Sequence, residues 1–592
     1  MCGIAGIVSQ DGRVDPELLV KVRDTMIHRG PDDAGLWVSP DSRVGLVHRR
    51  LAVIDLSPRA RQPMQSPSGK SWIVFNGEVY NYLELREELE RKGSVFDSSS
   101  DTEVLLEAYR VWGTGCLTRL NGMFSFAIWD VEKRRLFAAR DRAGEKPFFY
   151  SSQPRFFAFS SELKALMALP FVERKINPSA YQQFLAYGYV PGDICILQGV
   201  QKLRPAHALI VEDGGRCRTW AYWQVPAGTV SNTRSVDELA DELDELLGRA
   251  VKRQLVSDVP LGICLSGGID SSLVTAMAAR ASQKPVRTFT VVFPGSLEYD
   301  EGPYAKIVAE HFGTRHTELQ TAPASVELLP VLARQFDEPC ADSSMVPTYL
   351  LSRLIRQECT VALGGDGGDE LFGGYRHYTS LMLQSRLRRI LPESFRSLIQ
   401  TLCRGFLPSG VRGYNSALGL GGTINRAVAH TNILFTEPFR RKLTPRQVYR
   451  VHTEESEEPT EWKASLFDSA RGMPGGAMNV DFLTYLPDDI LVKVDRASML
   501  NSLEVRCPWL DFNLIEFAFR NVPNSCRATL GQKKILPKVL GKRLLPKALN
   551  LDRKQGFSLP LRKWMKGAWG QFLQRFSAPW IMPSLINKLF AG

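Results

Sequence analysis

The sequence contains no long hydrophobic run: nowhere does it approach the roughly 18 uninterrupted apolar residues of a membrane-spanning helix. Its N-terminus, Met1 to Ile4, also lacks the basic segment of a secretory signal peptide. The ten cysteines stand singly without a Cys-x-x-Cys pair, which argues against a zinc site and a disulfide framework. These absences predict a cytoplasmic protein with reduced thiols.

Acidic residues are scarce in one segment. The basic segment, Arg376 to Arg450, holds thirteen Lys/Arg and two Asp/Glu, which accounts for the whole net charge of +11. One interpretation is a solvated helical face or a subunit contact, as in a homodimer. The other is a docking site for a polyanionic acceptor or an anionic membrane surface. We expect no nucleic-acid partner.

Lysine is missing from the most distinctive loop, Leu265 to Ser272, which lies between an apolar run and a helix-like stretch. Backbone N–H groups at such a helix start attract an anion, and glycines let the main chain approach it closely. The loop therefore predicts a phosphate cradle with Asp270 as an oxygen ligand for Mg²⁺. The cradle residues are Leu265, Ser266, Gly267, Gly268, Asp270, Ser271 and Ser272. An ordinary Ser/Gly turn that caps a helix is the alternative.

Without a lysine, this loop does not match the Walker A pattern. It resembles the pyrophosphate loop of ATP pyrophosphatases, and the resemblance implies AMP and pyrophosphate as products. In those enzymes the edge of the next strand contacts adenine. The next strand here spans Thr288 to Phe293, which makes Val291 and Leu265 the candidate contacts for the base. Both positions fit buried strand residues equally well.

Cys2 follows the initiator methionine, and removal of Met1 would place a thiol beside a free α-amine. An α-amine with a pKa of about 8 is a competent base near neutral pH, and cysteine is a strong nucleophile. One residue could then supply both the nucleophile and the base. The alternative is a second residue without a role.

Five further motifs occur in order within the first 103 residues: Cys2 to Gly6, His28 to Asp32, His48 to Leu51, Phe75 to Asn81 and Ser100 to Glu103. Together they resemble the class II glutamine amidotransferase domain. The resemblance implies an N-terminal-nucleophile αββα fold in which Cys2 attacks the glutamine carboxamide. It also implies an oxyanion hole from Asn76 and Gly77, a carboxylate pair with Arg50, and an ammonium site at Glu78 and Asp101.

Two of these positions allow another interpretation. Asn-Gly between β-like runs is also the commonest dipeptide of a type I′ hairpin turn, so Asn76 and Gly77 could form one. Arg49 stands beside Arg50 and could be mistaken for it. We favour Arg50 on the family spacing to Leu51 and Asp55, and interpret Arg49 as a solvated or interface charge.

At 592 residues the chain exceeds the size of one core, which predicts at least two domains. Beyond Val236, helix-like and strand-like segments alternate and predict a doubly wound parallel sheet with a largely helical C-terminal part. A Gly-Asp-rich loop, Gly364 to Tyr375, follows one such strand. Since ligands bind at the C-terminal ends of parallel strands, Asp369 and Asp270 are expected to converge on one Mg²⁺. A solvated acidic loop is the alternative.

These loops, with later motifs at Leu486 to Met499, Leu503 to Asp511 and Arg553 to Phe557, resemble the synthetase half of the glutamine-hydrolysing asparagine synthetase family. The resemblance implies ATP contacts at Gly364 and Gly365, catalytic roles for Lys554 and Asp366, and ammonia transfer through an apolar passage to an acyl-adenylate. The expected domains are a glutaminase at 1–206, a connector at 207–235 and a synthetase at 236–592.

The chain departs from this family at two places. Asparagine-making members usually carry Glu where Asp366 stands, and His-Gly where Asn501 and Ser502 stand. Both positions are expected near the acceptor end of the site. We therefore expect glutamine, ATP and a carboxylate as substrates, with aspartate as the leading acceptor. A sugar acid, or a cell-envelope or secondary-metabolite precursor, is the alternative; a plain glutaminase or a binding protein would need a damaged nucleotide loop.

Overall fold

The computed structural model describes residues 1–212, 215–228, 233–292, 300–320, 327–406, 411, 413–444 and 458–553. Two antiparallel six-stranded sheets occupy the N-terminal part of these residues. In spatial order, the first sheet consists of β10 (Gln201–Lys202), β8 (Phe149–Gln153), β9 (Phe156–Ser160), β1 (Gly3–Ser9), β3 (Val44–Arg50) and β2 (Asp33–Val38). The second consists of β12 (Cys217–Ala221), β11 (His207–Glu212), β7 (Arg135–Arg140), β6 (Gly122–Asp130), β5 (Ser71–Val79) and β4 (Met64–Gln65).

Strand alternation in β1 shows how the two sheets stack. Ile4 and Val8 point into a core shared with Val74 of the second sheet, whereas Ala5 and Ile7 face a helical layer. That layer is formed by α1 (Pro16–Asp24), α4 (Leu163–Met167) and α5 (Pro178–Tyr187). The outer face of the second sheet packs on α2 (Tyr82–Arg91) and α3 (Asp101–Trp112). The predicted αββα sandwich is confirmed.

The second sheet continues beyond residue 206, where the sequence placed the end of the glutaminase. β11 pairs with β7 from Ala208↔Ala139 to Glu212↔Arg135, and β12 pairs with β11. Residues 207–212 and 217–221 are therefore strands of the sandwich. The division of the chain into domains stays a prediction.

A five-stranded parallel sheet forms the centre of the C-terminal part. Its order is β15 (Arg315–Gln320), β14 (Arg287–Val292), β13 (Leu261–Cys264), β16 (Val361–Leu363) and β17 (Glu504–Arg506). The chain leaves β13 towards β14 on one side and returns to β16 on the other. The strand order thus reverses between β13 and β16, and the carboxyl ends at such a reversal are the usual ligand site.

Helices cover both faces of this sheet, which confirms the doubly wound prediction. Those beside the sheet are α6 (Val236–Gln254), α7 (Ile269–Ala281), α8 (Gly302–Phe312), α9 (Leu328–Gln335), α10 (Met345–Ile355) and α11 (Gly368–Phe372). The first of them, α6, begins with a capping box in which Ser235 and Glu238 satisfy each other's backbone N–H. Its apolar stripe, including Leu239, Leu243 and Leu247, packs into the core with α7.

The C-terminal part is largely helical, as predicted. Its helices are α12 (Arg376–Ile390), α13 (Glu393–Phe406), α14 (Tyr414–Gly421), α15 (Ile424–Ala429), α16 (Glu437–Leu443), α17 (Pro459–Ser465), α18 (Gly475–Leu483), α19 (Leu491–Met499), α20 (Phe512–Arg520), α21 (Asn524–Arg527) and α22 (Ile535–Leu544). Among the described helices, none is both long and apolar enough to cross a membrane.

Candidate active sites

Cys2 lies immediately before β1 and is buried. Its backbone N–H donates to Asn76 Oδ1 at 2.9 Å, and its Sγ lies 3.9 Å from the carbonyl oxygen of Leu51. Burial raises the pKa of the Cys2 thiol, so the thiol needs a base before it can act as a nucleophile. Removal of Met1 would turn the nitrogen beside Asn76 into the α-amine that the sequence predicts as this base.

Asn76 and Gly77 lie inside β5 and pair with Ser125 and Phe124 of β6. The alternative of a hairpin turn is therefore wrong. Because Asn76 Oδ1 accepts from Cys2, its Nδ2 points the other way; this nitrogen is buried and has no partner among the described residues. A buried amide donor without an acceptor is costly unless a ligand satisfies it. Its place beside the thiol suits an oxygen that becomes negative during attack.

Arg50 ends β3 and is held by backbone carbonyls from the loop that follows. Its guanidinium donates to the carbonyl oxygen of Ser57 at 3.1 Å and also to that of Asp55. Neutral carbonyls leave the positive charge uncompensated and free to attract a carboxylate. Arg49, interpreted from the sequence as a solvated or interface charge, instead donates to the Asp24 carboxylate at 2.8 Å.

Glu78 and Asp101 form a pair of buried carboxyl groups near the end of β5. Asp101 Oδ2 accepts from the Val79 N–H at 2.9 Å. Burial raises the pKa of Asp101 to about 6, and burial together with the charge of Asp101 raises the pKa of Glu78 well above its ordinary value. Two neighbouring carboxylates repel each other in a buried site, so an ammonium group would be stabilised between them.

Residues from β17 reach this first site, which the sequence did not predict. Glu504 Oε2 accepts from the Met1 ammonium at 2.5 Å, and Arg506 Nε donates to Glu504 Oε1 at 2.7 Å. Although burial opposes it, the Met1 ammonium and Arg506 lower the pKa of Glu504 to about 2. Arg506 also lies 3.7 Å from Glu78. Glu504 and Arg506 belong to the motif Leu503 to Asp511, but the motif alone gave no sign that they contact the first site.

The second site lies where the loops after β13 and β16 meet. Ser266 and Ser271 are joined through their hydroxyl oxygens at 2.9 Å, and the Gly268 N–H donates to Ser266 Oγ at 3.2 Å. Gly267 has φ of +67°, and a Cβ there would lie 2.5 Å from Tyr304 Cβ. Only glycine fits here, because the backbone has a positive φ and α8 approaches too closely for a side chain. The contact with α8 fixes the position of the loop at the start of α7.

Asp270 and Asp369 converge on one cation, the ammonium of Lys534. Lys534 Nζ lies 2.6 Å from Asp369 Oδ1 and also pairs with Asp270. Although burial works against its charge, the two carboxylates raise the pKa of Lys534. The described residues contain no cluster of three acidic, histidine or cysteine side chains suited to a metal. Two carboxylates directed at one cation nevertheless fit Mg²⁺, which in nucleotide sites takes further ligands from phosphates.

The sequence missed Lys534, which stands in no motif recognised above. Lys534 stands beside Lys533, 28 residues after Arg506, and a pair of lysines alone gives no pattern that assigns either one to a site. Lys554, the lysine that the family resemblance implied, lies outside the described residues.

Leu265 and Val291, the candidate base contacts, are both buried. Leu265 packs in the core with α6 and α7, and Val291 packs against α9 and α10. This burial favours their interpretation as strand residues, and the predicted contact stays a prediction. Gly365 lies against α7: a Cβ there would be 3.2 Å from the Ser271 nitrogen, while one at Gly364 would be 3.2 Å from Asp366 Oδ2.

Asp366 is partly buried in a group of charged side chains. Burial raises the pKa of Asp366, and the nearby Lys493 opposes this shift. Lys493 Nζ lies 3.4 Å from Asp342. Burial and the charge of Asp342 raise the pKa of Asp489 to about 8. A lysine among three carboxyl groups suits an acceptor with both an acidic and a cationic group.

Asn501 and Ser502 are adjacent in the chain, but their side chains contact different parts of the protein. Ser502 Oγ donates to the carbonyl oxygen of His28 at 2.7 Å, so this residue contacts the sandwich. Asn501 Nδ2 donates to the carbonyl oxygens of Ala497 and Tyr349 at 3.0 and 3.3 Å. These bonds to backbone groups give both residues structural roles.

Arg29 connects the first site to α19. Its Nε donates to the Cys2 carbonyl oxygen at 3.0 Å, and its two terminal nitrogens donate to Asp495 at 2.7 and 2.9 Å. The same guanidinium lies 2.9 Å from Glu162, which also pairs with Arg496 at 3.1 Å. One buried ion network thus links the backbone of the thiol residue with the helix that carries Lys493.

A cavity lies between the two halves beside this network. Its lining combines aromatic and charged side chains, among them Phe148, Phe149, Arg140, Glu145, Asp488 and Asp495. Most of its accessible lining is apolar, and the apolar passage expected from the sequence stays a prediction.

A thiol beside a fixed amide donor, together with a lysine-free phosphate loop at the reversal of a parallel sheet, defines an ATP-dependent ligase that takes nitrogen from glutamine. The family models agree: "Glutamine amidotransferase domain" matches residues 1–223 and "Asparagine synthase" matches residues 242–580. The chain belongs to the glutamine-hydrolysing asparagine synthetase family.

Two curated relatives show the extent of this similarity. "Asparagine synthetase [glutamine-hydrolyzing] 1" of Bacillus subtilis (strain 168) is 33% identical over 586 residues, which covers 97% of this chain and 89% of the relative. "Putative asparagine synthetase [glutamine-hydrolyzing] 2" of Methanocaldococcus jannaschii is 34% identical, covering 84% of this chain and 98% of the relative. The similarity therefore includes both sites.

Proposed function

We propose that this chain makes asparagine from aspartate, glutamine and ATP, releasing glutamate, AMP and pyrophosphate. One observation supports the proposal above all. A single chain carries a buried thiol site at Cys2 and a separate glycine-rich loop at Asp270, and the Arg29 network joins the first site to the helix that carries Lys493. ATP is the nucleotide substrate of the family.

In the first half-reaction, Cys2 Sγ attacks the carboxamide carbon of glutamine while the α-amine takes the thiol proton. The carboxamide oxygen becomes negative and is stabilised by the Asn76 amide and Gly77 N–H. Arg50 would bind the substrate carboxylate, and Glu78 with Asp101 its ammonium. Ammonia leaves, and water then hydrolyses the thioester to glutamate.

In the second half-reaction, the aspartate side-chain carboxylate attacks the α-phosphorus of ATP and pyrophosphate leaves. The loops at Ser266 to Gly268 and Gly364 to Gly365 would bind the phosphates through backbone N–H groups. Asp270 and Asp369 would hold Mg²⁺, which offsets phosphate charge when bound. Lys534, now between these carboxylates, is placed to move onto a phosphate oxygen. Ammonia then replaces AMP at the acyl carbon.

The sharpest test separates the two sites. Cys2→Ala should abolish synthesis from glutamine and retain synthesis from ammonia, whereas Asp270→Asn should remove both. Cys116→Ala is the matched control, since Cys116 is also buried but lies in the helical layer beside the second sheet. AMP and pyrophosphate are measured as products. Loss of both activities in folded Cys2→Ala, or formation of ADP and phosphate, would contradict the proposal.

A second candidate is amidation of another carboxylate by the same chemistry. It is favoured by Asp366, which carries a shorter side chain than the Glu usual among asparagine-making members. A screen of carboxylate acceptors, scored by glutamine-dependent AMP formation, distinguishes the two candidates. Aspartate turnover far below that of a sugar acid or a cell-envelope precursor would favour the second.

We also propose a reducing cytoplasmic setting, because all ten cysteines are free thiols. Partners beyond the substrates are proposals too: a homodimer, and contact of the basic segment with an anionic surface. Sedimentation of the purified protein over a range of concentrations tests the homodimer, which predicts a mass twice that of the chain.

A further inference from the structure

Helix α13 exposes four large apolar side chains, while Arg396, Ile399, Gln400 and Cys403 lie on its partly buried side. Phe395, Leu398, Leu402 and Phe406, called here the apolar stripe, are 50, 52, 47 and 81% exposed. At 100° per residue these four positions fall within an arc of about 80°. A surface helix of a globular protein normally buries such a stripe.

The inward side of α13 is fixed by polar contacts. Arg396 donates to the carbonyl oxygens of Leu391 and Gly422, and Gln400 donates to that of Leu418 at 3.0 Å. These bonds attach the helix to α14 and the turn after it. The orientation of α13 therefore follows from specific hydrogen bonds, and the exposed apolar stripe is a built feature of the fold.

Exposed cations lie directly before the apolar stripe, at the end of α12. Arg386 and Arg389 are exposed, and Ile390 beside them is 77% exposed. Arg388, by contrast, is used internally, because it donates to the carbonyl oxygens of Gly419 and Gly422. Glu393 is the one acidic residue between 376 and 406. In the chain, exposed cations thus directly precede the apolar stripe.

We propose that α12 and α13 dock on an anionic lipid bilayer, with the apolar stripe inserted at the level of the headgroups and Arg386 and Arg389 paired with lipid phosphates. A helix with an apolar face and flanking arginines binds such a surface in two ways: the apolar face is buried among the lipids, and the arginines are attracted to the anionic headgroups. A soluble polyanion would use the cations and leave the apolar stripe in water. A second copy of this chain would place like charges against each other. The inference is independent of which carboxylate is the acceptor.

Vesicle flotation with the full chain tests this inference. The protein should float with vesicles of phosphatidylcholine and phosphatidylglycerol in equal parts, but not with pure phosphatidylcholine. Leu398→Gln/Leu402→Gln/Phe406→Gln should weaken binding about tenfold or more, and Arg386→Gln/Arg389→Gln roughly tenfold with a smaller salt dependence. The matched control is Leu83→Gln/Val95→Gln, since these apolar residues are 49 and 77% exposed on the sandwich.

Glutaminase activity should be unchanged in all three variants, which shows that they fold. Equal flotation with neutral and anionic vesicles, or unchanged binding in the apolar-stripe variant, would overturn the proposal. Arginine-dependent binding of glycerol phosphate or heparin, without any binding to vesicles, would also overturn it. A dimer in solution that the apolar-stripe variant dissociates would assign this face to a second copy instead.

Discussion

Gly77 shows how one residue combines a folding requirement with a chemical one. A Cβ at this position would lie 2.0 Å from the Met123 carbonyl oxygen and 2.7 Å from Phe124 Cα, so neither strand can accept it without moving. The strand β6 is therefore close enough to hold the Asn76 side chain beside Cys2. The sequence predicted the residue, but its alternative of a turn was wrong because local composition does not reveal pairing with a distant strand.

Gly77→Ala should lower the free energy of unfolding by about 1–3 kcal/mol and reduce glutamine hydrolysis, because overpacking would push β5 away from β6. Chemical denaturation and glutaminase assays measure the two effects. Gly115→Ala is the control, since a Cβ there meets no atom within 4 Å; its stability should change by no more than about 0.5 kcal/mol. A Gly77→Ala variant as stable and active as the parent would contradict this account.

Asp101 is a second single residue with a testable consequence, since its raised pKa predicts a pH dependence of the KM for glutamine. With a pKa raised to about 6 by burial, the free enzyme loses this negative charge as the pH falls below 6. An ammonium group is then bound less well, so the KM for glutamine should rise below pH 6 while ammonia-dependent synthesis keeps its own profile. Asp101→Asn should raise KM at neutral pH and flatten this rise. An unchanged KM profile in that variant would assign the effect to another group.

At the scale of elements, the loops were predictable and the connections between halves were not. The Ser-Gly-Gly and Gly-Asp-Gly-Gly patterns directly after apolar runs predicted both phosphate loops, because their backbone demands are local. Lys534 meets Asp270 and Asp369, and Glu504 and Arg506 reach the sandwich, only through the tertiary fold. Helix α19 is the clearest case: Asp495 was part of a recognised motif, but its partner Arg29 lies 466 residues earlier.

Asp495→Asn should lower the free energy of unfolding by about 3 kcal/mol, since it removes one carboxylate of a buried ion network and leaves Arg29 under-compensated. Synthesis from glutamine should also fall relative to glutamine hydrolysis, because α19 carries the lysine beside Asp366. The control is Asp552→Asn: its pair with Lys538 is exposed, and such pairs contribute at most about 1 kcal/mol. Calorimetry and the ratio of glutamate to AMP measure both effects. Equal destabilisation by the two substitutions would contradict the argument.

At the scale of the whole molecule, the two halves share a core as well as charges. Leu51, Val53, Tyr80 and Met123 of the sandwich pack in one buried cluster with Val361 and Met499 of the parallel-sheet half. Sequence reading separated the halves because each has its own motifs and periodicity. It had no means of showing that the apolar residues around Cys2 are completed by β16 and α19, since apolar composition does not specify a partner.

This shared cluster predicts coupled unfolding. The full chain should unfold in a single calorimetric transition, because separating the halves would expose the cluster together with buried Arg29, Glu162 and Glu504. A fragment of residues 1–235 should melt at a lower temperature than the full chain and hydrolyse glutamine more slowly, since it lacks the β17 residues beside Met1 and Glu78. Leu239→Ala is an internal control, because apart from Ala143 the buried residues of its core belong to the synthetase half; through coupling it should lower the temperature at which the sandwich unfolds as well. Two separate transitions, with the first matching the isolated fragment, would show that the halves are energetically independent.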